Sequence, residues 1–204
     1  MSSVDELVRY DGKHVVVTGC ASGIGAQVAR QVAELGGRVT GLDLRAPADG
    51  PGIADFIEVD LSDTESIDRA AARVDGPVDG LFNVAGVSSG IGNPILVVRI
   101  NFLGTRHFTE ALVDRMPPGS AITNVSSLAA ASYRENARAC AGLLATESMA
   151  DGLAWCDAHP EAIADGGYRL SKEAIVLYGM RHVHELGARG IRINCTGPGV
   201  TETP

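Results

Sequence analysis

His14-Val15-Val16-Val17-Thr18-Gly19-Cys20-Ala21-Ser22-Gly23-Ile24-Gly25 is the stretch on which the fold turns. His14 to Thr18 is a short β-branched, apolar run, the composition of a strand buried on both faces. Glycines follow it at once. After them Ala26 to Leu35 carries Val28, Ala29, Val32, Ala33 and Leu35 at helical spacing, and Gly36-Gly37 ends the run. A strand that bends sharply into a helix needs glycine for the tight turn, for close approach of backbone to a pyrophosphate, and for packing of helix on strand. Gly19, Gly23 and Gly25 stand at those places, with Ala21, Ser22 and Ile24 completing a cofactor-binding turn.

The next apolar run, Arg38 to Asp43, ends in an acid 18 residues after Gly25, close to where a ribose-binding carboxylate is expected. Asp43, with Leu44 beside it, would accept hydrogen bonds from an adenosine ribose and repel a 2′-phosphate, which favours NAD over NADP. Arg45 nearby pulls the other way. Towards the other end, Gly166-Gly167-Tyr168-Arg169-Leu170-Ser171-Lys172-Glu173-Ala174-Ile175 reads as a helix that stacks Tyr168 and Lys172 on one face. Bringing a phenol from its ordinary pKa near 10 to neutrality takes roughly 4 kcal/mol. An ammonium within a few ångströms contributes about 1 to 3 units of that shift. Tyr133 is followed four residues later by Ala137, and Tyr178 by His182, so neither has a lysine one turn on.

With Gly-x-x-x-Gly-x-Gly after Thr18, Asn83-Val84-Ala85-Gly86 after an apolar strand, and Tyr168-x-x-x-Lys172, the chain resembles the single-domain short-chain dehydrogenase/reductase family nearly end to end. The resemblance takes in Asp60 after Phe-Ile-Glu-Val, Asn101 in Arg-Ile-Asn-Phe-Leu-Gly, Ser127 in Ile-Thr-Asn-Val-Ser-Ser-Leu, and Pro198-Gly199 after Ile-Asn-Cys-Thr-Gly. It implies an NAD(H)-dependent oxidoreductase that interconverts an alcohol and a ketone or aldehyde. In that reading Tyr168 is the acid/base, and Lys172 favours its phenolate and holds the nicotinamide ribose. Ser127 hydrogen-bonds the substrate oxygen, with Ser126 the competing candidate, and Asn101 extends a proton relay through a water to Lys172. Asp60 and Leu61 would meet the adenine, while Asn83, Ala85 and Gly86 would line the ribose and phosphate path. Pro198, Gly199, backbone near Val200 and Thr201, and the Thr203 hydroxyl would hold the carboxamide. The rival reading is a non-catalytic dinucleotide sensor or scaffold, against which the intact Asn101, Ser127, Tyr168 and Lys172 speak.

Apolar runs near residues 14 to 18, 38 to 43, 54 to 60, 79 to 84, 120 to 126 and 191 to 196 alternate with helical segments. That alternation predicts an α/β fold, a doubly wound parallel sheet of Rossmann type with helices on both faces. Ser62 to Glu65 reads as a capping box opening a helix to Arg73. A helix from about Ile95 to Arg115 carries Asn101 inside, where its amide needs a partner. Ser127 and Tyr168 are 41 residues apart, a wider gap than most family members show. The stretch from about 133 to 167 reads as an insertion of one or two helices interrupted near His159-Pro160. A similarly placed insertion marks the branch containing the bacterial 3α-hydroxysteroid dehydrogenase/carbonyl reductase and coniferyl-alcohol dehydrogenases. There it obstructs the helix contact that commonly builds tetramers, which implies a homodimer through another surface. Family members also continue past the position of Pro204 with a lid, a helix and a last strand, expected here to be omitted from the sequence.

Composition fits one domain over residues 1–204, with 45% hydrophobic and 21% charged residues. A net charge of −8 argues against a nucleic-acid or anionic-membrane partner and leaves a small-molecule substrate. Cys20, Cys140, Cys156 and Cys195 show no framework spacing, as in a reducing compartment. The N-terminus has no basic start or apolar stretch, and no run reaches the roughly 18 apolar residues of a membrane span, so a cytoplasmic protein is expected. His182 and His184 diverge by about 200° on a helix, so a solvated face is expected there rather than a metal site. Trp155 reads as packing in the insertion.

Overall fold

The computed structural model describes residues 8–48, 50 and 52–201. Thr203, expected in the cofactor site, lies outside the described residues. The strands β1 (His14–Thr18), β2 (Arg38–Asp43), β3 (Ile53–Glu58), β4 (Gly80–Asn83), β5 (Ala121–Val125) and β6 (Arg192–Thr196) form one parallel sheet. Their spatial order is β3-β2-β1-β4-β5-β6. The helices are α1 (Gly23–Glu34), α2 (Thr64–Arg73), α3 (Pro94–Val98), α4 (Thr105–Val113), α5 (Ala137–Leu144), α6 (Met149–Ala158) and α7 (Tyr168–Ala188). Among the described residues no helix is long and apolar enough to cross a membrane.

β1 shows why the middle of a central parallel strand is apolar on both faces. Val15 and Val17 pack with Ala29 and Val32 of α1 on one face. Val16 points the opposite way into a larger core with Leu81, Ile122, Phe108 and Ile175. His14, at the start of the strand, is buried but satisfied by the Pro77 carbonyl at 2.9 Å and the Thr40 hydroxyl at 2.8 Å. Strand order reverses between β1 and β4, so a crevice opens beyond their carboxyl ends.

Three expectations shift. The third strand ends at Glu58, which leaves Asp60 in the following turn. The capping box at Ser62 does not form: Asp63 is the N-cap of α2 and accepts from the Glu65 amide at 3.1 Å. Asp60 accounts for the change, because its carboxylate takes the Ser62 amide at 2.7 Å and its own amide donates to Ser66 Oγ. That local turn moves the start of the helix by one residue. Finally, the helix expected from Ile95 to Arg115 is broken by a π-helical turn, Arg99–Gly104, between α3 and α4. In the insertion, α5 and α6 are followed by a 3-10 turn, Pro160–Ile163, and the break falls at His159-Pro160, where proline cannot continue α6.

Candidate active site

The crevice beyond β1 and β4 is a cleft of ≈ 340 Å³, lined by Gly19, Ser22, Gly23, Ile24 and Gly25 on one side and Asp43, Leu44, Asp60, Leu61, Ala85 and Gly86 on the other. The chain builds it by close backbone approach. Gly19 has φ 73°, and a Cβ there would lie 2.8 Å from the Ala85 amide nitrogen. A Cβ on Gly25 would meet the Gly19 carbonyl oxygen at 2.0 Å. Thr18 Oγ1, a side chain that motif reading passed over, accepts from the amides of Val84 at 3.0 Å and Ala85 at 3.2 Å, stitching the two strand ends together. Asp43 accepts from the Ala21 amide at 3.0 Å, so the acid at the end of β2 also holds the glycine turn. Val59, Val84, Val87 and Ile100 line the cleft too. Nothing in their spacing distinguishes them from core residues.

Asn83 does not reach the cleft. It is buried, and its amide nitrogen donates to Asn124 at 2.8 Å and Thr109 at 2.9 Å, tying β4 to β5 and α4. As the last residue of β4, its side chain falls on the sheet face that α4 covers, beside Asn124, its register partner on β5. Pro198 and Gly199 likewise fall outside the cleft lining; the Pro198 carbonyl accepts from Leu128 at 3.0 Å and so joins the Ser127 segment. Val200 is exposed, and Thr201 Oγ1 donates to the Gly199 carbonyl at 3.2 Å.

Beyond Gly86 the cleft meets the second group of residues. A Cβ on Gly86 would stand 3.1 Å from Asn101 Oδ1 and 3.4 Å from Lys172 Nζ, which places these two groups directly behind the cleft wall. Tyr168 is the first residue of α7, delivered by the left-handed pair Gly166 and Gly167. Lys172, one turn on, is 4% exposed, donates to the Val125 carbonyl at 3.0 Å, and lies 5.7 Å from the centre of the Tyr168 ring. Burial, partly opposed by Cys195, pulls the Lys172 ammonium from 10.5 down to about 8. Asn101 sits in the π turn with every polar atom engaged: Oδ1 accepts from the Val87 amide at 2.8 Å, and Nδ2 donates to the Val87 carbonyl and to Ser171 Oγ. The wider turn satisfies the partner that propensity demanded.

The two serines differ in their hydrogen bonds. Ser126 is buried and donates to the Lys172 carbonyl at 2.7 Å, which commits its hydroxyl to the helix. Ser127 is half-buried and accepts from the Ala129 amide at 3.2 Å, leaving its proton to give. Tyr178, the competing tyrosine on α7, is core: it packs edge-on against Phe102 at 6.3 Å.

A family model described as short chain dehydrogenase matches residues 13–154. The coniferyl-alcohol dehydrogenase of Pseudomonas sp. (strain HR199 / DSM 7063) is 36% identical over 198 residues, 97% of this chain and 76% of that protein. The 3-alpha-hydroxysteroid dehydrogenase/carbonyl reductase of Comamonas testosteroni is 28% identical, over 93% of this chain and 73% of its own length. Among solved structures, the 3-alpha-hydroxysteroid dehydrogenase of Pseudomonas sp. B-0831 complexed with NADH superposes with a TM-score of 0.78 at 30% identity, covering 94% of this chain and 74% of that one.

Proposed function

The chain belongs to the short-chain dehydrogenase family of oxidoreductases, and on that footing we propose that it interconverts an alcohol and a ketone or aldehyde with NAD(H). The observation that carries this reading is the buried Lys172 ammonium, 5.7 Å from the Tyr168 ring and flanking Gly86 at the end of the nucleotide-sized cleft. The residues present fit a dinucleotide. Gly19, Gly23 and Gly25 line the cleft in a tight turn that would take a pyrophosphate against its backbone, and Asp43 offers a fixed carboxylate to a ribose, where a 2′-phosphate would meet like charge. Bound NAD supplies the hydride acceptor.

Tyr168 takes the proton of the substrate hydroxyl during oxidation and returns it during reduction. Lys172 places positive charge beside that exchange, in a pocket too buried for water to screen it well. Ser127 donates to the substrate oxygen and fixes its direction. Asn101, held rigidly at Val87, keeps Gly86 and Lys172 in register. An apolar, ring-bearing alcohol is the substrate class, by analogy with the hydroxysteroid and coniferyl-alcohol dehydrogenases it is similar to. Leu128, 60% exposed next to Ser127, supports that class.

Tyr168→Phe tests the reading. NADH formation with a panel of such alcohols should fall by about 10³-fold or more, within the range of acid/base and orientation effects combined, while NAD still binds. Turnover unchanged by the substitution would remove the role given to Tyr168.

A further inference from the structure

Glu173, the residue after Lys172, is a carboxylate with 0% exposure, and the roles assigned above do not use it. Its Oε1 accepts from Asn136 Nδ2 at 2.7 Å, and its Oε2 pairs with Arg169 at 3.3 Å. The Cys140 thiol of α5, pushed up to about 11 by burial and then by the Glu173 charge, stays protonated and faces Oε2 at 3.9 Å. Arg169 also pairs with Asp165 at 2.7 Å, and Asp165 in turn accepts from the Gly167 amide.

These partners lie at the two ends of the insertion. Asn136 is the N-cap position of α5, where the insertion begins, and Asp165 closes it three residues before Tyr168. A chain of backbone bonds runs from Ser127 towards Asn136: Ala130 to Ser127, Tyr133 to Ala130, and Asn136 to Ser132, each 3.0 Å. A buried charge pair is a poor way to gain stability, because an apolar side chain of similar volume often does as well or better. What it supplies is direction.

We propose that Glu173 and Arg169 form a clasp that fastens both ends of the insertion to α7 and thereby sets Ser127 against Tyr168. The pair positions; it does not touch the reacting atoms. This rests on the dehydrogenase reading of the same site, since Ser127 and Tyr168 must act on one substrate oxygen for their relative placement to matter.

The test compares wild type with Glu173→Gln, Asn136→Ala and the double variant, each assayed for kcat, for the pH profile of kcat, for NAD affinity by fluorescence, and for thermal midpoint. Each single substitution should lower kcat about 10- to 100-fold, the cost of an ångström-scale misplacement, with NAD affinity within about twofold of wild type. The double variant should fall no more than about twofold below the worse single one, because both break one link. The pH midpoint should not move, since Lys172 keeps its own contacts. If Glu173→Gln does not fold, Glu173→Met, of similar volume and without charge, takes its place. Unchanged kcat in folded variants of an active wild type would overturn the clasp and leave the dehydrogenase reading standing. Loss of NAD affinity together with turnover would show a merely structural role and also overturn it. A wild type that binds NAD yet oxidises no alcohol would sink both.

Discussion

Lys172 holds an energetic conflict at the heart of the site. Its neighbours offer one carbonyl and an aromatic face, and burial lowers its pKa from 10.5 to about 8. A cation whose folded pKa lies below its unfolded value destabilises the fold at any pH where the unfolded chain would bind that proton. The cost is therefore full below about 8, shrinks as pH rises from 8 to 10.5, and amounts to about 3 kcal/mol at about 1.4 kcal/mol per unit. Lys172→Met should accordingly be inactive yet more stable than wild type at pH 7. The stability gap between the two in urea titrations should narrow steadily up to pH 10.5; a gap constant with pH would contradict the assigned shift. At this scale Tyr168 and Lys172 were legible because their spacing is local. Asn83 was misplaced because strand alternation, not motif membership, decides which way its amide faces.

At the scale of elements, the strand-turn-helix from His14 to Glu34 is set by short-range steric needs. Gly25→Ala should show this: the added Cβ would strike the Gly19 carbonyl at 2.0 Å, and both partners are backbone, so neither can rotate away. We expect about 1 to 3 kcal/mol of destabilisation in urea and at least tenfold weaker NAD binding. Binding at wild-type strength would mean that the turn is not the phosphate cradle. The helix around Asn101 carried an incomplete signal. Apolar spacing indicated a helix, and a buried amide indicated a missing partner. The π turn that brings Asn101 to Val87 depends on the neighbouring strand end, which helical periodicity does not encode. Asp63 in place of Ser62 as the cap has the same origin, a competing local turn at Asp60.

For the whole molecule, the insertion is the distinguishing feature. α5 packs against α7, the helix that ends in Ala188, and occupies that part of its surface within the chain. We propose that the protein pairs as a homodimer through another face. Light scattering should give the mass of two chains, and a tetramer assembled on α4 and α7 would contradict this. The sequence alone determined the alternation of strands and helices, the glycine turn between β1 and α1, and the tyrosine-lysine pair on one helical face. Each of these is a matter of periodicity or spacing among residues close in the chain. Only the tertiary structure decided that Ser126 donates to the Lys172 carbonyl while Ser127 accepts from the Ala129 amide, and that Asn136 and Asp165, at opposite ends of the insertion, converge on Glu173 and Arg169. Those pairings join residues distant in the chain, and their geometry follows from how the elements pack, which no local pattern carries.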